Sequence, residues 1–335
     1  MELRDGVSVL ADADGLVEAL LDLGVPHQDI EEPVRLSRQL LGDAPAREVL
    51  ERGVADLVRD LGAVTGGVDL PRYPGASRAV ARWFPLYVFV AALPFVRAYH
   101  QERGISSDVS RRTLADVGRG VAVHRRWHGT GGIMTARWLS LHLRGELYQL
   151  GRLQFQRGVV PQVLGESIAA AGFSAGDPAL GLHIPDFMGP LSPESCDRSL
   201  ALAREFFAAH FPEEPYPVAT CGSWLLDPQL KRYLPAESNI VRFQERFHVH
   251  ALEEESDLTP VRFVFGSTQV ELAELPRRTV VERAVVEHLE GGGHWYGGEV
   301  TASGADEFPG LCTSRWITDP AAASADLSLP AISQR

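Results

Sequence analysis

Lysine is almost missing from this chain: Lys231 stands alone, and arginine carries nearly all the positive charge. Acids still outnumber bases, 44 to 32, for a formal net charge of −12. That balance excludes nucleic acid as a main partner, because neutralising phosphates needs a basic face. Cysteine is scarce too. Cys196, Cys221 and Cys312 show no paired spacing, which excludes a disulfide framework or zinc ribbon and fits a reducing, cytoplasmic setting. The opening MELRDGVSVLADADG lacks a basic segment followed by an apolar one, so no signal peptide is expected. Long hydrophobic runs are absent as well. The most apolar stretch, WFPLYVFVAALPFV (83–96), is too short to span a bilayer and holds Pro85 and Pro94, so a buried helical segment and no membrane contact are expected. There is no tandem repeat, and only AAASADLSLPAISQR (321–335) is of low complexity, the mark of a loose tail.

What is present is enough apolar sequence for two cores: 335 residues, 45% hydrophobic and 23% charged. The first 145 or so have helical periodicity. DGLVEALLDLG, EEPVRLSRQLLG and PAREVLERGVADLVRDLG each carry apolar residues at helical spacing and stop at glycine. At LGRLQFQ (150–156) the period becomes two, with Leu153 and Phe155 alternating with Arg152, Gln154 and Gln156. LGLHIP (180–185) reads as a second strand. A long helix follows, with Ser192 as N-cap and Pro193 at its first position. Then come the strand PVATCGSWLL, the short helix DPQLKRYL, the strands SNIVRFQERFHVH and VRFVFG, and the helix RRTVVERAVVEHLEGGG, whose glycines form a C-cap before a further strand through GHWYGGEV. The expected fold is α+β, close to α/β in its alternation: an all-helical N-terminal domain (1–146), a mixed sheet flanked by helices (147–318), and a flexible tail (319–335).

The order strand, long helix, strand, short helix, two strands resembles the core of the GNAT acyltransferase superfamily. The segments LGRLQF, HIP…GPLSPESCDRSLALAREFF, CGSWLLDPQL and SNIVRFQERF are more specific. They resemble a bacterial family of two-part acyltransferase-like proteins, in which a helical N-terminal region precedes a GNAT-like C-terminal domain. The resemblance implies that two parallel strands, here LGLHIP and VATCGSWLL, splay apart to receive the pantetheine arm of an acyl donor along one strand edge. Gly181 would let the ligand approach the backbone, and the Ile184 amide would polarise the thioester carbonyl. The pyrophosphate would meet the helix opening at Ser192 and Ser195. The superfamily's Arg/Gln-x-x-Gly-x-Gly/Ala phosphate loop is missing: DFMGPLSPES stands there, with two prolines in place of amide donors. DVGRGVA (116–122) is superficially similar to that loop but lies in the helical half.

Several side chains suit such chemistry. His183 lies on the polar face of its strand, where an imidazole could deprotonate an attacking amine, with Asp186 near enough to orient it; the alternative is a histidine that ties down its loop. Cys221 and Ser223 share a face of a regular strand, with Trp224 on the other as a wall of core or pocket. Ser223 could donate to a thioester carbonyl, and Cys221 could be a nucleophile beside His183, although buried cysteine is more often packing. The resemblance implies a tyrosine general acid near Tyr233. A polar row, Arg242, Gln244, Arg246, His248 and His250, could line an acceptor site or simply face solvent. His124 and His128 have the spacing of two zinc ligands without the intervening glutamate or a third ligand, so no metal is expected. The reading is an acyltransferase moving an acyl group from a coenzyme A or carrier-protein thioester to an amine or hydroxyl of a small molecule. A hydrolase using the same cleft and a non-catalytic small-molecule-binding protein are the rivals.

Overall fold

Hydroxyl caps and terminal glycines cut the first half into helices where the sequence places them. A computed structural model describes residues 3–73, 75–162, 164, 168–169, 172–251, 257–267, 271–297 and 311–315. Its helical half contains α1 (Leu3–Ser8), α2 (Ala13–Asp22), α3 (Glu31–Gly42), α4 (Ala44–Val58), α5 (Arg78–Glu102), α6 (Ser107–Leu114), α7 (Asp116–His128) and α8 (Ala136–Leu143). Ser77 and Ser106 each accept a backbone N–H of the first turn they precede, from Val80 and Val109. Gly129 ends α7 at φ 72°, the left-handed conformation that glycine adopts without penalty.

α5 is the central post. By length and composition it could cross a bilayer, but 67% of its apolar window is buried inside the helical half. Trp83, Tyr87, Phe89 and Val96 are fully enclosed by α2, α3, α4 and α8 residues. Pro85 and Pro94 lie inside it. Near the first of them Arg82 O accepts the N–H of Ile133 at 3.0 Å, tying α5 to the segment before α8. Glycine at 118 has a packing role, not a phosphate-binding one: a Cβ there would fall 2.1 Å from the carbonyl carbon of Gly24.

The second half contains β1 (Leu147–Leu150), β2 (Leu153–Val159), β3 (Pro178–His183), α9 (Pro193–His210), β4 (Val218–Gly222), α10 (Asn239–Gln244), β5 (His248–Ala251), α11 (Leu258–Phe265), α12 (Val280–Glu290) and β6 (Leu311–Arg315). The sheet order is β1-β2-β3-β4-β6-β5, antiparallel except for the β3/β4 pair. Tyr148, Leu153, Phe155, Leu180, Leu182 and Cys221 pack with α9 through Phe206, Phe207 and Phe211. The register puts Gln149, Gln154 and His183 in one cross-strand row, and Gln156, Gly181 and Thr220 in the next. These rows lie on the opposite face, which the helical half covers. The sheet is therefore sandwiched between α9 on its greasy side and α7–α8 on its polar side.

Three expectations are corrected. LGRLQFQ is not one strand: Gly151 and Arg152 form the turn of a β1–β2 hairpin, Gly151 at φ 73°. SNIVRFQERFHVH begins as helix α10, because Ser238 caps Val241 N; the Phe247 ring, just past its end, packs tilted against Phe243 at 5.0 Å. A spacing of four satisfies both a strand and a helix, and the cap decides between them. VRFVFG lies in helix α11, closed by Gly266 at φ 68°. The tail at 319–335 and residues 298–300 of the expected last strand lie outside the described residues.

His100, 1% exposed, joins the halves: its Nδ1 is 2.8 Å from Ser110 Oγ and its ring centroid 5.8 Å from that of Tyr148. Burial pushes it down to about 4. The unfolded chain then binds a proton that the folded one refuses, so stability is complete above about pH 6.5 and falls as the pH drops towards 4. Urea unfolding should show a loss of about 2 kcal/mol from this group between pH 7 and pH 5, absent in His100→Gln.

Candidate active site

The parallel strands part where the resemblance expects them to. β3 and β4 are paired at Ala179↔Val218, Leu180↔Ala219 and Gly181↔Thr220, and there the ladder ends. Beyond it β3 stays bonded to β2 through His183↔Gln154, and β4 to β6 through Gly222↔Leu311. Leu182–His183 and Cys221–Gly222 thus diverge and leave strand edges facing a wedge. Alternation puts His183 on the polar side of this wedge.

His183 Nε2 lies 3.0 Å from Gln156 Oε1, and its ring meets the Trp138 ring edge-on at 4.7 Å. Burial first, then the nearby His142, push its pKa down to about 3, against an opposing pull from Asp116. The imidazole is therefore neutral at physiological pH. Behind it runs a polar network the sequence reading did not identify. Asp116 Oδ1 accepts from Arg119 Nε at 2.7 Å and from Gln154 Nε2 at 2.8 Å, while Oδ2 is 3.2 Å from His142 Nε2. Arg119 also reaches Gln149 Oε1 at 3.0 Å and Met188 Sδ at 3.6 Å. Burial pulls the Asp116 carboxyl up, but His142, Arg119 and Gln154 outweigh it and leave it lowered and ionised. Burial lowers His142. The only trace of this network in the sequence is the even-numbered glutamines of β2, which continue the polar face of His183.

The remaining sequence candidates are dispersed. Cys221 points to the α9 side, 1% exposed among leucine and phenylalanine side chains, so the strand separates it from His183. The expected cysteine–histidine juxtaposition is therefore corrected. Ser223 is beyond the strand, its Oγ accepting Leu225 N at 3.2 Å to cap the turn Trp224–Leu226. Trp224 is core, so close to Gly297 that a Cβ there would be 2.9 Å from its Cα. The Tyr233 hydroxyl is 2.9 Å from His288 Nδ1, and its ring leans on Trp295. The supposed polar row does not exist: Arg242 is on α10, His248 on β5, and Arg246 turns to α9, where it pairs with Asp197 and donates to Pro193 O at 3.1 Å. His124 gives its Nδ1 to Thr130 O at 2.6 Å, and among the described residues no cluster suited to a metal ion occurs.

The start of α9 is largely occupied. Pro193 offers no N–H, Ser195 N binds Ser192 Oγ at 3.3 Å, and Cys196 N binds Ser192 O at 3.0 Å. The Glu194 carboxyl is lowered by its own backbone N–H and by Ser192. The helix end alone is thus a poor phosphate site. Two arginines flank it instead: Arg246, and Arg152 of the hairpin turn, which donates to Gly189 O at 2.9 Å and Pro185 O at 3.2 Å. Asp186 lies in the same loop. Burial raises its carboxyl, with Arg126 and Arg152 opposing. Ile184 packs at the edge of the α9-side core.

Comparison with known proteins accords with this geometry. An N-acyltransferase N-terminal domain model matches residues 14–145, and a GNAT-like C-terminal domain model matches residues 147–300. An acyltransferase solved in complex with decanoyl-CoA is 37% identical, with a TM-score of 0.76 over 90% of this chain and 88% of that one. The chain belongs to the two-part N-acyltransferase family. Structures of acyltransferase with decanoyl-CoA and teicoplanin (37%) and with CoA and 10C-teicoplanin (36%) match this acyltransferase over the same shares at TM-score 0.76. No curated protein sequence matches it. The mixed sheet, the helical N-terminal half and the acyl-transfer reading of the sequence are those of the family.

Proposed function

We propose that this enzyme transfers an acyl group from acyl-coenzyme A to an amine of a small-molecule acceptor, with His183 as the general base. The divergence of β3 and β4 next to a neutral, cleft-side imidazole carries the reading. Pantetheine would lie along the open strand edges, and Arg152 and Arg246 would supply the charge that the occupied helix end does not. The acceptor nitrogen attacks the thioester carbonyl carbon. Its proton passes to the imidazole, the C–S bond breaks, and the imidazolium returns that proton to the departing thiolate. Proximity supplies much of the rate. Because His183 is a weak base, it suits a proton made acidic by attack, not a resting ammonium.

Acyltransferases solved with decanoyl-CoA, alone and together with teicoplanin, support a medium-chain donor and a small-molecule acceptor. Buried thiols at Cys196 and Cys221 are compatible with a cytoplasmic setting. Separation of Cys221 from His183 counts against the hydrolase rival. The test is mass spectrometry of amine-bearing acceptors incubated with decanoyl-coenzyme A, alongside calorimetry. Micromolar donor binding and acyl-amide product are expected, with binding weakened about tenfold in Arg152→Ala or Arg246→Ala. Free fatty acid as the product at the same rate without acceptor would overturn the reading in favour of hydrolysis.

A further inference from the structure

One apolar side chain stands where its backbone resists it. Among the described residues Phe187 and Asp60 are the two non-glycine positions with φ in the left-handed region, at 58° and 52°. Aspartate tolerates that conformation, whereas a bulky aromatic residue there is an outlier. The Phe187 ring is also 60% exposed. A single exposed apolar ring needs no explanation. A ring held in solvent by a strained backbone does, because such strain persists only where the surrounding structure enforces it, and it clusters at ligand contacts.

Phe187 lies in the loop between β3 and α9, and one guanidinium clamps that loop on both sides of it. Arg152 Nη1 donates to Pro185 O at 3.2 Å and Nε to Gly189 O at 2.9 Å. Gly189, at φ 78°, turns the chain again, Arg119 Nη1 holds Met188 Sδ at 3.6 Å, and Ser195 Oγ reaches Pro190 O at 3.4 Å. The ring is thus fixed relative to Arg152, whose Nη2 has no acceptor among the described residues. A donor laid along the open edge of β3 passes His183 and Ile184 and meets this tip next, ahead of the start of α9 that Arg152 and Arg246 flank. An aromatic face beside a guanidinium with donors to spare is the pair that a nucleotide engages, its base by stacking and its phosphates by charge. We propose that Phe187 is the platform on which the adenine of coenzyme A stacks, beside phosphates bound by Arg152. This inference rests on the reading of the wedge as the donor site. It also narrows the donor: a carrier-protein thioester presents the same phosphopantetheine arm without a base, so the ring favours free acyl-coenzyme A.

Two variants test the platform. Phe187→Asn removes the ring but keeps a residue that accepts the left-handed backbone, and Phe187→Trp enlarges the stacking face. Inhibition constants measured against decanoyl-coenzyme A turnover should show free coenzyme A weakened about tenfold in Phe187→Asn and retained or improved in Phe187→Trp. The inhibitor 4′-phosphopantetheine, which lacks the nucleoside, should act equally on both variants and the wild type. KM for decanoyl-coenzyme A should rise with the coenzyme A constant in Phe187→Asn, while kcat at saturating donor stays within about twofold. Unchanged inhibition by coenzyme A in Phe187→Asn would overturn the proposal. So would an equal loss for 4′-phosphopantetheine, which would put the ring against the arm instead of the base. Calorimetry with coenzyme A keeps the two readings apart. If the wild type binds none, the donor site itself fails; if Phe187→Asn binds it as tightly as the wild type, only the platform fails.

Discussion

Replacing His183 with alanine is expected to lower kcat by roughly 100- to 10,000-fold while donor affinity stays within about twofold. The imidazole is on the polar side of the wedge between β3 and β4, and backbone edges, not this side chain, would hold the donor. Its pKa of about 3 keeps it unprotonated from pH 5 upward, so the wild-type rate should not fall from its titration in that range. Any acid limb then reports the acceptor amine. Stopped-flow release of free thiol, read with donor calorimetry on the same variant, checks both halves of the expectation. Loss of donor binding in parallel with rate would mean that the ring props the cleft open instead of moving a proton.

Glu146→Ala should produce the largest loss of stability, about 3–5 kcal/mol, and lower Tm by roughly 10 °C. Glu146 is 0% exposed and sits between α8 and β1, where the helical half passes into the sheet. It accepts Thr65 N at 2.9 Å, Thr65 Oγ1 at 2.8 Å, Gly66 N at 2.8 Å and Arg144 Nε at 3.1 Å. Arg144, with 3% of its side chain exposed, turns its other donors to the carbonyls of Leu57, Arg59 and Asp60. Removing the carboxylate leaves the buried Arg144 guanidinium without its counter-charge and the Thr65 and Gly66 amides without their acceptor. Because water is excluded, the loss should persist at high salt, which distinguishes it from a surface pair. Denaturant unfolding with and without about 1 M salt measures it.

Much of the architecture could be read from local chemistry. Ser192 and Pro193 mark the start of α9, the glycines mark the helix ends, and HIP and CGS lie on the two strands that part. Errors arose where one spacing serves two periods, as with Phe243 and Phe247, or where β-rich composition overruled a helix, as in VRFVFG. The site was legible only along one strand. His183 was visible because it continues a polar alternation. Asp116, Arg119 and His142 were not, because each lies among other polar residues on its helix and reads as surface until the sheet is laid over it. Gln156 stood in plain view, but its contact with His183 depends on a register that brings it opposite Gly181. Arg152 was concealed by the misplaced turn, and the roles of Arg242 and His248 dissolved once α10 replaced a strand.

The polar underside of the sheet limits how such proteins can be recombined. Gln149 and Gln154 are each 1% exposed, and their side chains bond to Arg119 and Asp116 from the other half. Exchanging helical halves between relatives to alter acceptor choice would set unmatched amides and charges face to face unless these four positions travelled together. A chimera that joins the chain after Leu143 should therefore fold well only when both parents carry the same quartet, or when β1 and β2 are moved along with the helices that cover them.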